Sequence, residues 1–210
     1  MTYDEVEQAV AEAGLIVMGA LPHEGGTLIL LGTGGAFWSL FSASSEQLDR
    51  QPDPIDRWSK RVVGGLARHL QADSIYPFTG PPYEPFIGWA LTSGRACQSP
   101  VGMLVHDAVG LMVSYRGALR FSAAFDIPTP VAQSPCQTCA GQPCTSACPV
   151  DALSAAHPYD VDRCHAYLDT PAGQDCMTNG CAARRACPVS TLAARDPAQS
   201  NLHMKAFHRT

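Results

Sequence analysis

Eight of the nine cysteines in this 210-residue chain lie between Cys136 and Cys187, and their spacing constrains the fold more than any other feature. The first series reads Cys136-x2-Cys139-x4-Cys144-x3-Cys148-Pro149. The second reads Cys164-x11-Cys176-x4-Cys181-x5-Cys187-Pro188, so both series close on Cys-Pro.

A cubane iron-sulfur cluster needs four thiolates converging on its corners. A short loop supplies three of them when the backbone curls with two to four residues between ligands. A fourth cysteine, three residues further on, starts the next helix and points away, toward a second cluster. Two such series exchange their last cysteines. One 4Fe-4S cluster is then expected on Cys136, Cys139, Cys144 and Cys187, and the other on Cys164, Cys176, Cys181 and Cys148. Proline after each crossing cysteine suits the exchange, because it lacks an N–H and fits a helix's first turn.

Two other chemistries use cysteines at similar density. Structural zinc takes four thiolates, and two zinc ions could use all eight, although zinc sites usually draw on paired cysteines without interlocked Cys-Pro endings. Disulfides would suit an oxidising compartment. The first 14 residues are acidic and do not read as a signal peptide, so a reducing cytoplasmic location is expected instead. Cys97, far from the others in sequence, reads as a small, partly buried residue.

The cysteine pattern resembles bacterial two-cluster 4Fe-4S ferredoxin domains over roughly residues 133–195. It departs from their common spacing: residues 140–143 put four positions, not two, between the second and third cysteines, and the second series is looser still. The run Asp162-Arg163-Cys164-His165-Ala166-Tyr167-Leu168, with Gly180-Cys181 and the final Cys-Pro, is also similar to the cluster domain of epoxyqueuosine reductases. No segment matches the catalytic acid region or the helical C-terminal extension of those enzymes, so their tRNA activity is not expected.

Charge argues the same way. The net charge is -5, with 13 acids and 8 bases in residues 1–130 and 6 of each thereafter. No basic surplus exists to neutralise a phosphate backbone, and nucleic acid is not an expected partner. Nor is a membrane. The most apolar run, residues 28–41, is short and broken by Gly32, Gly34 and Gly35.

Ahead of the cysteines, residues 2–14 read as a helix capped by Thr2 with Val6, Ala9, Val10 and Ala13 on one face. Residues 15–21 and 27–31 read as strands. Gly32-Thr33-Gly34-Gly35 fits neither G-x-G-x-x-G nor a P-loop and reads as a strand-to-helix turn. Residues 54–70 form a helix, with Asp53 at the N-cap, Pro54 first, and Ile55, Trp58, Val62, Leu66 and Leu70 toward the core. Gly64-Gly65 within it suggests close approach by a neighbouring backbone or a ligand. Residues 76–86 hold four prolines and four aromatics, which suits either an ordered surface loop or a pocket wall. A short helix should follow at 86–92, and residues 101–121 read as a β-hairpin turning at His106-Asp107. Residues 126–135 are a proline-rich linker. The expected domains are therefore 1–130 and 131–195, followed by a frayed polar tail, 196–210, with His203 and His208.

The spacing His106-x3-Gly110-x5-Arg116-Gly117 is similar to a strand pair of the cobalamin-processing CblC family, and the resemblance covers roughly residues 15–125. It implies a nitroreductase-like α+β domain, with Arg116 at a ligand pocket and His106 near a corrin. Read from their residues alone, His106 is a turn histidine and Arg116 a strand-end ion-pair partner. The expected fold class is thus α+β: a nitroreductase/CblC-like domain followed by a small ferredoxin-like iron-sulfur domain. The expected function is an iron-sulfur redox protein that takes electrons from a partner protein or small-molecule donor. It would pass them through two 4Fe-4S clusters to a cofactor such as cobalamin, or flavin, in the first domain. The alternative is a ferredoxin-type electron carrier with no catalytic pocket of its own.

Overall fold

The run Leu28, Ile29, Leu30 and Leu31 has no polar face, so it must be covered on both sides. In the computed structural model, which describes residues 1–130 and 133–208, β2 (Gly26–Thr33) is buried along its whole length. It lies between β1 (Leu15–His23) and β6 (Tyr115–Phe121) in a four-stranded antiparallel sheet of order β1-β2-β6-β3, with β3 at Asp73–Ile75. The register slips between Leu31 and Gly32. A Cβ at Gly32 would collide with the Met18 side chain and come within 2.7 Å of the Ser114 carbonyl oxygen, so the β2 backbone can pass here only as glycine.

Helices cover this sheet. α1 (Tyr3–Glu12) starts at a capping box, in which the Glu5 N–H donates to Thr2 Oγ1 and the Thr2 N–H to the Glu5 carboxylate, and it buries Val6 and Val10. α2 (Phe37–Ser42) and α3 (Ser45–Leu48) lead to α4 (Pro54–Leu70). Phe37 and Phe41 stack, and Trp58 of α4 meets both rings edge-on. Val63 is buried and Val62 half-buried, a shift of one position from the periodicity reading. Gly64 lies under the Tyr76 ring hydroxyl, where a Cβ would sit 3.3 Å from Oη, whereas Gly65 faces open space. Residues 79–85 are an exposed loop ahead of α5 (Phe86–Thr92).

The chain divides into two units by its internal contacts: residues 1–96 with 114–132, and residues 97–113 with 133–210. The proline-rich linker runs through this division, and two of its residues, Val131 and Ala132, lie outside the described residues, with the expected boundary at 130/131. Residues 97–113 group with the cysteine-rich segment, not with residues 1–96.

The hairpin expected over residues 101–121 is not formed. β5 (Leu104–His106) pairs with β4 (Ala96–Gln98), while β6 pairs with β2 and β3. Only the His106–Gly110 bridge remains of the expected turn. The reason is a competing partner, because the Leu111 N–H donates to Ser190 Oγ at 3.0 Å and the Leu111 carbonyl accepts from Arg184 at 2.8 Å.

In the second unit, α6 (Val161–Leu168), α7 (Gln174–Asn179) and α8 (Ala182–Ala186) are short, and α9 (Pro197–Phe207) replaces the expected frayed tail. Asp196 caps α9 by accepting from the Ala198 N–H, and Gln199 and Ser200 are buried as α9 packs on α7. Thr210, the last residue of that expected tail, lies outside the described residues. Both sheets are antiparallel and the chain is a mixed α+β protein. Among the described residues no helix is long and apolar enough to cross a membrane.

Candidate metal centre

The loop from Cys136 to Cys144 is bent back on itself. Gly141 and Gln142 both take positive φ, 70° and 38°, and the Gln142 side-chain amide donates to the Cys136 carbonyl at 3.3 Å. The chain then enters a 3₁₀ turn, Pro143–Thr145, which buries Cys144. Cys187 arrives from the other series. It ends α8 and begins another 3₁₀ segment, Pro188–Ala193, in which the Ser190 N–H donates to the Cys187 carbonyl at 2.9 Å.

Cys136, Cys139, Cys144 and Cys187 together line one cavity of about 340 Å³. Much of the remaining wall is apolar and includes Pro100, Val105, Leu111 and Val189. Cys144 and Cys187 join Val101, Val105, Leu111, Leu153 and Ala183 in a buried cluster, and Cys97 and Cys136 pack against it. Cys97, half-buried, is thus close enough to raise the Cys136 thiol.

The other four cysteines neighbour one another, and two of them, Cys148 and Cys181, also pack against that same buried cluster. The Ala152 N–H donates to Cys148 Sγ at 3.2 Å, Cys164 lies on α6, Cys176 on α7, and Cys181 occupies the N-cap of α8. The electrostatic neighbours of Cys164 are Cys181, Cys148 and Cys176, and the Tyr159 hydroxyl bonds to its sulfur.

Burial first, and neighbouring sulfurs second, push the Cys136, Cys144, Cys164 and Cys176 thiols up from their ordinary range. Ionising several close, half-buried thiols is costly unless a cation compensates, which is the electrostatic situation of a metal-thiolate site. Among the described residues no three His, Cys, Asp or Glu side chains converge at single-ion spacing. The first four cysteines line a common cavity. Four thiols around one apolar cavity are the donor set a 4Fe-4S cluster would use, and zinc takes the same donors.

His106 and Arg116 fall in different units. His106 is fully buried, exchanges both backbone hydrogen bonds with Gly110 at 2.9 Å, and accepts at Nδ1 from the Ala108 N–H at 3.1 Å. Gly110 has a φ of 57°, and a Cβ there would run into the backbone of Ser190. Arg116 donates to Asp56 at 3.0 Å and to the Tyr115 carbonyl at 2.7 Å, with its guanidinium carbon 5.8 Å from the Phe78 ring centroid. Burial lowers its pKa and the Asp56 carboxylate opposes that shift. Neither residue lines the cysteine cavity.

His165 bonds through Nδ1 to His208, whose other nitrogen meets Asp169 at 2.8 Å, so both histidines have defined partners. Ser99, which carries no motif and which sequence reasoning passed over, lines the cavity. No known family matches the chain, and neither a curated protein nor a solved structure is detectably similar to it.

Proposed function

We propose that the second unit holds two 4Fe-4S clusters and transfers single electrons. Cys136, Cys139, Cys144 and Cys187 would hold one, and Cys148, Cys164, Cys176 and Cys181 the other. The observation that carries this reading is the common cavity of the first four, three from one series and the fourth from the far end of the next. When bound, the clusters supply one-electron couples whose potentials follow net charge, hydrogen bonds to sulfur and solvent exposure. The chain's own part is to present the thiolates, to restrict water with Pro100, Val105, Leu111 and Val189, and to hold Cys187 in register through Ser190. On this reading the second unit is ferredoxin-like and the first nitroreductase-like. The resemblance at His106, Gly110, Arg116 and Gly117 adds cobalamin or flavin as an electron acceptor to be tested.

The test is iron, zinc and sulfide analysis of anaerobically purified protein. About eight iron and eight sulfide per chain are expected, the content of two cubanes. Cys144→Ser and Cys164→Ser should each remove about half. Zinc without sulfide would overturn the proposal. A shift in the cobalamin spectrum on adding protein would support the corrinoid acceptor, and no shift with either cobalamin or flavin would leave an electron carrier.

A further inference from the structure

Ser99 follows β4 in a tight turn: its N–H donates to the Met103 carbonyl at 2.8 Å, and its own carbonyl accepts from the Gly102 N–H at 3.0 Å. The backbone is thus satisfied, and the side chain is not. Ser99 is 5% exposed, and its Oγ meets no hydrogen-bond partner among the described residues. A buried hydroxyl without a partner is costly, and in native proteins such a group usually marks a ligand, ion or water. Ser99 lines the same cavity as Cys136, Cys139, Cys144 and Cys187, with Oγ itself covered, so a turn about its Cα–Cβ bond is what would bring the hydroxyl to the wall.

We infer that the Ser99 hydroxyl donates a hydrogen bond to the sulfur shell of the group held in that cavity and so sets its reduction potential. This rests on the cluster reading above. A hydrogen bond to a sulfur that gains negative charge on reduction is stronger in the reduced state, so it favours reduction. Ser99 lies outside both cysteine series, on a segment brought to them by Leu111, Ser190 and Arg184. Its backbone role does not require the hydroxyl.

The experiment is a redox titration of the iron-loaded protein, followed by electron paramagnetic resonance, comparing wild type with Ser99→Ala. Cys144→Ser, which removes the first cluster, identifies which signal belongs to it. Ser99→Ala should keep about eight iron and make the first cluster three- to tenfold harder to reduce, tenfold being ~59 mV for one electron. The second cluster should not move. If Ser99→Ala loses iron, Ser99→Thr and Ser99→Val are compared instead: they share a shape and differ by the hydroxyl, and the threonine variant should have the higher potential. Equal potentials within whichever pair is loaded would overturn the inference. Failure of the cluster reading would show separately, as wild-type protein without iron and sulfide.

Discussion

Replacing Gly110 with alanine tests whether the His106-Gly110 turn exists to hold the cysteine site. Alanine at a φ of 57° costs about 1 kcal/mol, because its Cβ crowds its own carbonyl. The same Cβ would lie 2.7 Å from Ser190 Oγ and 2.8 Å from Ser190 Cα, closer than such atoms approach. Backbone on that side cannot swing away as a side-chain tip would. Ser190 is held by its hydrogen bonds to Cys187 and Leu111, so relieving the clash displaces the segment that carries Cys187. Overpacking of this kind costs ~1–3 kcal/mol, giving about 2–4 kcal/mol in total. Gly102→Ala is the control. Its φ is 79° but a Cβ there meets nothing within 4 Å, so it carries the conformational cost alone. At roughly 2–4 °C per kcal/mol for a chain of this size, Gly110→Ala should lower the Tm by about 4–16 °C. Gly102→Ala should lower it by about 2–4 °C. Thermal melts by circular dichroism, with iron counts on the same samples, measure both. If Gly110→Ala melts with Gly102→Ala and keeps all its iron, the packing argument is wrong.

Two further predictions concern the first unit. Arg61 grips both oxygens of Glu46 and holds that carboxyl down at about 2, against 4.5 unperturbed. The folded state therefore binds this proton more weakly than the unfolded one. The pair's contribution should be complete above about pH 4.5, fall as pH drops toward 2, and be absent in Glu46→Gln. Because Arg61 is 55% exposed, its size is about 1 kcal/mol, read from urea melts between pH 6 and pH 3. Asp56→Ala should cost ~2–3 kcal/mol by leaving the Arg116 guanidinium buried and unpaired, and Arg116→Met on that background should recover part of it. A double-mutant cycle by chemical denaturation measures this, and a neutral Asp56→Ala would contradict it.

What could be read from sequence followed where the determinants were local. Thr2 as a cap and Pro54 as a first helical residue are local signals, and both helices begin where they stand, although Asp53 takes a φ of 52° and makes no side-chain cap hydrogen bond to α4. Asp196-Pro197 is the same signal as Asp53-Pro54, yet the residues after it lack a regular apolar repeat, so periodicity does not mark α9. The hairpin over 101–121 failed because alternation cannot register a distant competitor: Ser190 and Arg184, more than 70 residues away, take the hydrogen bonds of Leu111. The expected grouping of the cysteines rests on thiol spacing, which reports loop reach, and four of them do line one cavity. Ser99 could not be found that way, since its interest lies in a missing partner and not in a pattern.

The crossing of Cys187 into the first cavity also bears on timing. Cys136, Cys139 and Cys144 leave the ribosome within nine residues of one another, but the wall they begin stays open until residue 187 has been made. The intervening segment carries all four cysteines of the other group, Cys148, Cys164, Cys176 and Cys181. On the two-cluster proposal neither site could be finished early in synthesis, so both clusters would have to reach a chain already long enough to fold, and close together in time.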